Sequence, residues 1–182
     1  SYFPYHHNNR HNTEAHYSTP GPAIWDQMEG RSDCLVAGMG TGGTIGGAGK
    51  FLKEKDPKIK IIAVDVEGSV FTEYFRTGKK GNARPYFLEG LGDEFIIGCA
   101  DFSVIDDMVQ VSDRDAFSHA RRLVKEEGLL GGGSSGAAIC AVLGIAKDLP
   151  ASARIATIFP DGASKYLSNI FDDQWMESRG LL

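Results

Sequence analysis

The sequence lacks the features that mark membrane proteins and nucleic-acid-binding proteins. Its 182 residues contain no apolar run near the ~20 residues that a membrane-spanning helix needs, and no signal-peptide pattern appears at its start. Acidic residues outnumber basic ones by 24 to 19, and the resulting net charge of −5 argues against a nucleic-acid or anionic-membrane surface. We therefore expect no nucleic acid and no membrane among the partners of this protein.

Cysteine is also scarce, and no metal-binding pattern is present. The three cysteines have no metal-ligand spacing and cannot all pair; they are Cys34, Cys99 and Cys140. We expect reduced, buried thiols in a cytoplasmic protein. Four of the five histidines fall within residues 1–22, but no cysteine or pair of carboxylates stands beside them at ligand spacing. This polar segment is predicted to be a surface loop without a metal ion.

The most informative stretch is the glycine-rich run of residues 33–44. The short apolar run Leu35 to Ala37 is typical of a buried strand, and Thr44 opens an apolar-periodic helix. Between them lie four glycines, at positions 38, 40, 42 and 43. A strand, a glycine loop and a helix point backbone N–H groups and the positive end of the helix at an anion. The sequence therefore predicts a phosphate site formed by Gly40, Thr41, Gly42, Gly43 and Thr44.

The same glycines leave a second interpretation open. The spacing from Gly38 to Gly43 also fits the G-x-G-x-x-G fingerprint of dinucleotide-binding proteins. The next apolar run ends in Asp65 and Glu67, about where a ribose-binding carboxylate would stand. A nicotinamide-dependent Rossmann dehydrogenase is therefore an alternative function.

Two later loops favour a single compact ligand over a dinucleotide. Strand-like and helix-like segments alternate along the chain. They include a continuous apolar strand at residues 60–66, a helix that a capping box opens at Ser112 and Gly128 ends, and a last helix through residues 166–171. This alternation predicts an α/β layered fold with a mostly parallel sheet. A second glycine-rich stretch, residues 131–136, precedes an apolar helix, and Pro160, Asp161 and Gly162 follow the last predicted strand. Because loops at the carboxyl ends of parallel strands converge on one crevice, these loops and the phosphate site predict a small phosphorylated heterocycle as the ligand.

These motifs together resemble one family over essentially the whole chain. The run from Gly40 to Thr44 resembles the phosphate cup of fold-type II pyridoxal-phosphate enzymes, the cysteine synthase and cystathionine β-synthase family. Residues 131–138 resemble the segment whose first serine meets the pyridine nitrogen of the cofactor, which assigns that role to Ser134. The resemblance implies a three-layer fold and pyridoxal 5′-phosphate as cofactor, and the convergence of the loops predicts Pro160 and Asp161 beside it. Asp161 is a competing partner for the ring on sequence grounds.

Two stretches resemble the cystathionine β-synthase branch of this family. Residues 88–95 resemble its glutamate-glycine-x-glycine loop, which implies that Glu89, Gly90 and Gly92 bind substrate, and residues 172–182 resemble the end of its catalytic core. The implied reaction is β-replacement, in which L-serine and L-homocysteine give L-cystathionine and water. A carboxylate at Glu89 suits the ammonium group of a second amino-acid substrate. Cysteine synthase from O-acetylserine and sulfide is the alternative within the family, and the alternative for Glu89 is a structural capping acid.

One part of the family's pattern is absent from this sequence. The family holds its cofactor as a Schiff base on a lysine in a serine-x-lysine context, followed by a threonine-serine-glycine-asparagine loop. Neither motif occurs here, and Lys165, which we expect in a last helix, lacks that setting. The resemblance therefore implies that residues 1–182 are a single partial domain, the carboxyl-terminal part of a catalytic core, with no catalytic residue of its own. Its implied partners are the amino-terminal half of the same enzyme and a second copy in a homodimer. A non-catalytic half that pairs with a separate amino-terminal piece is a third possibility.

Overall fold

Four parallel strands form the centre of the molecule in the computed structural model, which describes residue 3 and residues 5–182. Their order in the sheet is β3-β2-β1-β4, and every pairing is parallel. The strands are β1 (Cys34–Gly38), β2 (Lys60–Val66), β3 (Asp107–Val111) and β4 (Ile155–Thr157). The helices are α1 (Arg10–Ser18), α2 (Pro20–Gln27), α3 (Gly43–Lys55), α4 (Phe71–Thr77), α5 (Asp113–Glu127), α6 (Gly133–Ile145) and α7 (Asp173–Glu177). The predicted α/β fold is confirmed.

The sheet is covered on both faces, which gives the three layers that the family resemblance implies. Successive side chains of a strand point to opposite faces, so Val36 and Val64 pack with α5 and α6 while Leu35 and Ala63 pack with α3. β2 is buried from Ile61 to Val66. Burial on both faces explains why this strand is continuously apolar rather than alternating.

The first part of the chain differs from its prediction. The surface loop predicted for residues 1–22 is wrong for the second half of that segment, where α1 and the start of α2 form; residues 1, 2 and 4 lie outside the described residues. The side chain of Asn9 caps α1 by accepting a hydrogen bond from the backbone N–H of His11, at 3.1 Å. α1 has no fully buried residue. Its backbone instead approaches α3 closely, because a Cβ atom at Gly47 would lie 2.3 Å from the Thr13 carbonyl oxygen.

The end of the chain also differs from its prediction. A last helix through residues 166–171 is not formed; a 3₁₀ turn, Ala163–Tyr166, is followed by turns and then by α7. None of the helices formed by the described residues has the length and hydrophobicity that crossing a membrane requires. All three cysteines are free thiols, and Cys34 and Cys99 are buried.

Gly136 controls how closely α5 and α6 approach, and this predicts opposite effects for two alanine substitutions in α6. A Cβ atom at Gly136 would lie 2.0 Å from the Ala116 carbonyl oxygen and 2.5 Å from the Ala120 nitrogen. Backbone atoms cannot move aside as a flexible side chain can, so Gly136→Ala should lower the free energy of unfolding by about 1–3 kcal/mol. Gly144→Ala should be neutral or stabilising by up to about 1 kcal/mol, because its Cβ atom would meet nothing within 4 Å. Equal thermal unfolding temperatures for the two variants would contradict this account.

Candidate active site

The predicted phosphate loop lies between β1 and α3. Gly42 is the residue before the helix and has a left-handed backbone, with φ of +81°. A Cβ atom there would lie 2.8 Å from the Cα atom of Ala100, and one at Gly40 would lie 2.5 Å from the carbonyl oxygen of Gly90. Glycine is therefore required at both positions, because atoms of neighbouring backbone segments lie where a side chain would begin. The loop leads into the amino end of the 13-residue α3, and the amino end of a helix is suited to bind an anion.

Helix α1 contributes two side chains that sequence reasoning did not assign to the site. The amide nitrogen of Asn12 lies 3.0 Å from the hydroxyl of Thr41, and Nε2 of His16 lies 3.3 Å from the hydroxyl of Thr44. Both side chains are half-buried. Burial lowers the pKa of His16, so its ring is neutral near pH 7. The helix was not predicted, and this is why these two residues were missed.

A second part of the site forms where three loops meet: the loop that carries Glu89 and Gly90, the loop before α6 and the loop after β4. The backbone N–H of Gly132 donates to the carbonyl oxygen of Asp161 at 3.2 Å, and that of Ala163 donates to the carbonyl oxygen of Leu130 at 2.9 Å. These bonds join the loop before α6 to the loop after β4. A cavity of about 310 Å³ lies at the junction. It is lined by Glu89, Gly90, Ser134, Pro160, Asp161, Lys165 and Tyr166.

This cavity unites five of the residues that the sequence singled out, namely Glu89, Gly90, Ser134, Pro160 and Asp161. Gly92 does not line it. Gly92 has φ of +70°, its N–H donates to the Met39 carbonyl oxygen at 2.9 Å, and a Cβ atom there would lie 2.6 Å from that of Ser69. Gly92 therefore serves the turn of its loop.

In the part of the chain that the structure describes, the carboxylate of Asp161 has hydrogen-bond partners on only one of its two oxygens. Its Oδ2 atom accepts from the Tyr166 hydroxyl at 2.7 Å and from Nζ of Lys165 at 3.4 Å. Its Oδ1 atom is buried and has no hydrogen-bond partner among the described residues. Burial is the main cause that raises the pKa of Tyr166, and the bond to Asp161 adds to it. A buried carboxylate oxygen without a partner is costly, and a polar group of a ligand would satisfy it.

Two opposite charges stand together at the wall of this cavity. Oε2 of Glu89 lies 3.9 Å from Nζ of Lys165, and both side chains are more than half exposed, at 65% and 62%. Hydrogen bonds to Tyr166 and Asp161 raise the pKa of Lys165. Lys165 and Tyr166 were missed as cavity residues because they were assigned to a last helix. Their position directly after a parallel strand, four and five residues beyond Asp161, could have indicated them.

The two parts of the site adjoin at Gly40, where a Cβ atom would lie 2.5 Å from the carbonyl oxygen of Gly90 in the cavity wall. Thr41, Gly42, Gly43 and Thr44 do not line the cavity; they lie beside it, against α1 and Ala100. Of the two acids that the dinucleotide alternative has to choose from, Glu67 is exposed, whereas Asp65 is not available. Asp65 is fully buried and accepts from the Thr72 nitrogen at 2.9 Å and from its hydroxyl at 2.7 Å, so it cannot bind a ribose.

Residues 1–161 match a family described as pyridoxal-phosphate dependent enzyme. The chain is 47% identical over 171 residues to the cystathionine beta-synthase of Apis mellifera, covering 94% of this chain and 34% of that protein. It is 40% identical over 168 residues to the cysteine synthase of Helicobacter pylori, covering 92% and 53%. It is 39% identical over 160 residues to an O-acetylserine dependent cystathionine beta-synthase of Bacillus subtilis, covering 88% and 50%. The chain thus spans between a third and about a half of the length of these relatives.

Proposed function

The chain belongs to the family of pyridoxal-phosphate dependent enzymes, and from this premise we propose that its protein catalyses a β-replacement on L-serine. The C–O bond at the β-carbon of serine breaks, a C–S bond to L-homocysteine forms, and the hydroxyl leaves as water with the thiol proton. The product is L-cystathionine. The observation that carries the proposal is the cavity in which Glu89 stands beside Ser134 and Asp161. Family membership excludes the nicotinamide-dependent dehydrogenase.

The residues of both parts of the site fit the cofactor. The glycine loop at residues 40–44 would hold the phosphate, and the cavity, with its unpartnered Oδ1 atom on Asp161, would hold the ring. Pyridoxal phosphate, when bound, supplies the electron sink for bond cleavage at the amino acid. The protein supplies position and electrostatics.

Ser134 is the favoured partner of the ring nitrogen. Its hydroxyl is too weak an acid to protonate a pyridine, so it would donate a hydrogen bond and leave the nitrogen uncharged. It lies in the first turn of the 13-residue α6, where the positive end of the helix disfavours a cationic ring. Lys165 partly neutralises the rival carboxylate of Asp161. By leaving the nitrogen uncharged, Ser134 would disfavour transamination and favour loss of the β-substituent.

Substitutions at Ser134 and Asp161 should separate these two partners. Ser134→Ala should retain the cofactor but slow turnover by roughly 2- to 10-fold, since a neutral hydrogen bond contributes about 0.5–1.5 kcal/mol. Ser134→Asp should introduce a charged ring and raise the yield of transamination products. Cofactor content, absorbance spectra and product analysis of the intact protein provide the measurement. A silent Ser134→Ala together with a large spectral change in Asp161→Asn would assign the ring to Asp161.

The pair of charges at Glu89 and Lys165 supports an amino acid as the second substrate. A zwitterion carries an ammonium group, which Glu89 would bind, and a carboxylate, for which Lys165 supplies the opposite charge. Sulfide carries neither group. The alternative, cysteine synthase from O-acetylserine and sulfide, is separated from the proposal by assaying the intact protein with homocysteine and with sulfide. Preference for sulfide would reject cystathionine as the product.

The proposed function requires an amino-terminal half to complete the catalytic core and supply the Schiff-base lysine. The edge of β4 supports this partner. Among the described residues no strand pairs with its outer edge, and Phe159 just beyond it is 37% exposed. The opposite edge strand, β3, exposes Asp107 and Gln110, the kind of polar side chains that discourage pairing.

A homodimer is part of the same proposal, and size-exclusion chromatography of the intact protein tests it.

A further inference from the structure

The two threonines of the glycine loop, Thr41 and Thr44, each contact a side chain of α1. These contacts have no counterpart in the predicted site, because the histidine- and asparagine-rich segment was expected to be a surface loop. α1 lies very close to the loop: a Cβ atom at Gly43 would lie 2.1 Å from Oδ1 of Asn12. The glycine thus permits Asn12 to reach Thr41.

The hydrogen bonds of Asn12 fix the direction of the bond to Thr41. Nδ2 of Asn12 donates to the carbonyl oxygen of His6 at 2.9 Å, and a carbonyl oxygen can only accept. This bond orients the amide, so the second N–H of the same nitrogen points at the Thr41 hydroxyl oxygen, 3.0 Å away. The backbone N–H of Gly43 donates to that oxygen as well, at 3.4 Å. With both acceptor positions of the oxygen used, the hydroxyl proton of Thr41 is left to be donated elsewhere.

The burial of His16 fixes the direction of its bond to Thr44 in the same way. Nδ1 of His16 is buried and has no partner within the described part of the chain. A buried N–H without an acceptor is rarer in proteins than a buried acceptor without a donor, so the proton of the neutral ring belongs on Nε2. Nε2–H then donates to the Thr44 hydroxyl oxygen at 3.3 Å. The hydroxyl proton of Thr44 is likewise left for another acceptor.

We propose that Asn12 and His16 are positioning residues, whose hydrogen bonds direct the hydroxyl protons of Thr41 and Thr44 toward a phosphate group bound at residues 40–44. Neither side chain needs to touch the phosphate itself. This inference rests on the proposed function, because it takes pyridoxal phosphate as the ligand of the loop. It assigns to α1 a role in anion binding that depends on donors rather than on charge.

The test compares variants that remove, keep or reverse the donor. Asn12→Leu and His16→Leu remove it, His16→Gln keeps an amide N–H near the position of Nε2, and Asn12→Asp replaces a donor by an acceptor. Tyr17→Phe is the matched control. In the wild type the Tyr17 hydroxyl donates to Oε2 of Glu54 at 2.5 Å. The variant therefore loses a hydrogen bond between α1 and α3, and both threonines keep their contacts. Dissociation constants are measured in the intact protein for pyridoxal phosphate and for pyridoxal, which lacks the phosphate.

The expected result is a loss confined to the phosphorylated ligand. Asn12→Leu and His16→Leu should each weaken pyridoxal phosphate binding on the order of tenfold. Each variant would no longer direct one threonine hydroxyl at the phosphate, and tenfold is the scale of a hydrogen bond to a charged group. Asn12→Asp should weaken it further, and His16→Gln should recover most of the affinity. All four variants should bind pyridoxal as the wild type does, and Tyr17→Phe should bind both ligands normally.

Two results overturn the inference while the proposed function stands. One is normal pyridoxal phosphate affinity in both leucine variants. The other is an equal loss of pyridoxal and pyridoxal phosphate affinity, which would assign α1 a purely structural role. A wild-type protein that binds no pyridoxal phosphate would instead overturn the proposed function, and the inference with it. The wild type is therefore measured first.

Discussion

Gly42→Asp should abolish retention of pyridoxal phosphate by the intact protein. Two physical effects act at this position. Gly42 has φ of +81°, a conformation that side-chain-bearing residues rarely adopt, and its Cβ atom would lie 2.8 Å from the Ala100 backbone. The new carboxylate would also stand where backbone N–H groups are expected to meet the phosphate, so two anions would compete for the same donors. Cofactor absorbance after gel filtration is the measurement.

Two further variants separate the steric effect from the charge. Gly42→Ala introduces the backbone strain without the carboxylate and should lose only part of the cofactor. Gly144→Asp introduces the carboxylate in a helix where a Cβ atom meets nothing within 4 Å, and it should retain the cofactor fully. Normal cofactor content in Gly42→Asp would remove residues 40–44 from the site.

The sheet and the helices next to it could be predicted from the sequence because local signals and tertiary packing agree there. β2 was predicted over the residues that form it, since burial on both faces makes its sequence continuously apolar. α5 was predicted from Ser112 to Gly128, because Ser112 caps its start by accepting from the Asp115 N–H and Gly128 ends it in a left-handed conformation.

α1 could not be predicted because its packing leaves no hydrophobic pattern. It buries no residue fully, and it lies against α3 through close backbone contact at Gly47 and side-chain contacts at Gly43. Those contacts depend on residues some thirty positions further along the chain. The sequence alone therefore did not assign Asn12 and His16, the two α1 residues, to the site.

Most of the residues that line the cavity were predicted from the sequence, but Lys165 and Tyr166 were not. Glu89 and Ser134 were identified on motif resemblance, and Asp161 was identified from its place after the last predicted strand; all three line one cavity. Lys165 was set aside because it lacks the context of a Schiff-base lysine. A lysine can serve a site through its charge alone, and the 3₁₀ turn Ala163–Tyr166 places it there.

Glu89→Gln should reduce the efficiency of the second half-reaction by roughly ten- to a hundred-fold. Glu89 would bind the ammonium group of homocysteine, and losing a hydrogen bond to a charged group costs about 1.5–3 kcal/mol. The absorbance change after serine addition should keep a near-normal rate, because serine reacts before homocysteine binds. Stopped-flow spectra with serine, followed by titration with homocysteine, measure the two steps separately. Lys165→Gln should also weaken homocysteine binding if Lys165 holds the carboxylate.

The structural alternative, in which Glu89 is a capping acid, predicts a different pattern. It requires a loss of thermal stability and equal losses in both half-reactions. The carboxylate of Glu89 pairs with Lys165 at 3.9 Å and is 65% exposed, and an exposed ion pair contributes only about 0–1 kcal/mol to stability. Glu89→Gln should therefore unfold at nearly the wild-type temperature. Glu126→Gln is the matched control, since Glu126 is an exposed glutamate paired with Arg122 on α5 at 3.0 Å; it should change neither half-reaction. Equal losses in both steps for Glu89→Gln would make cysteine synthase, or another β-replacement, the better assignment.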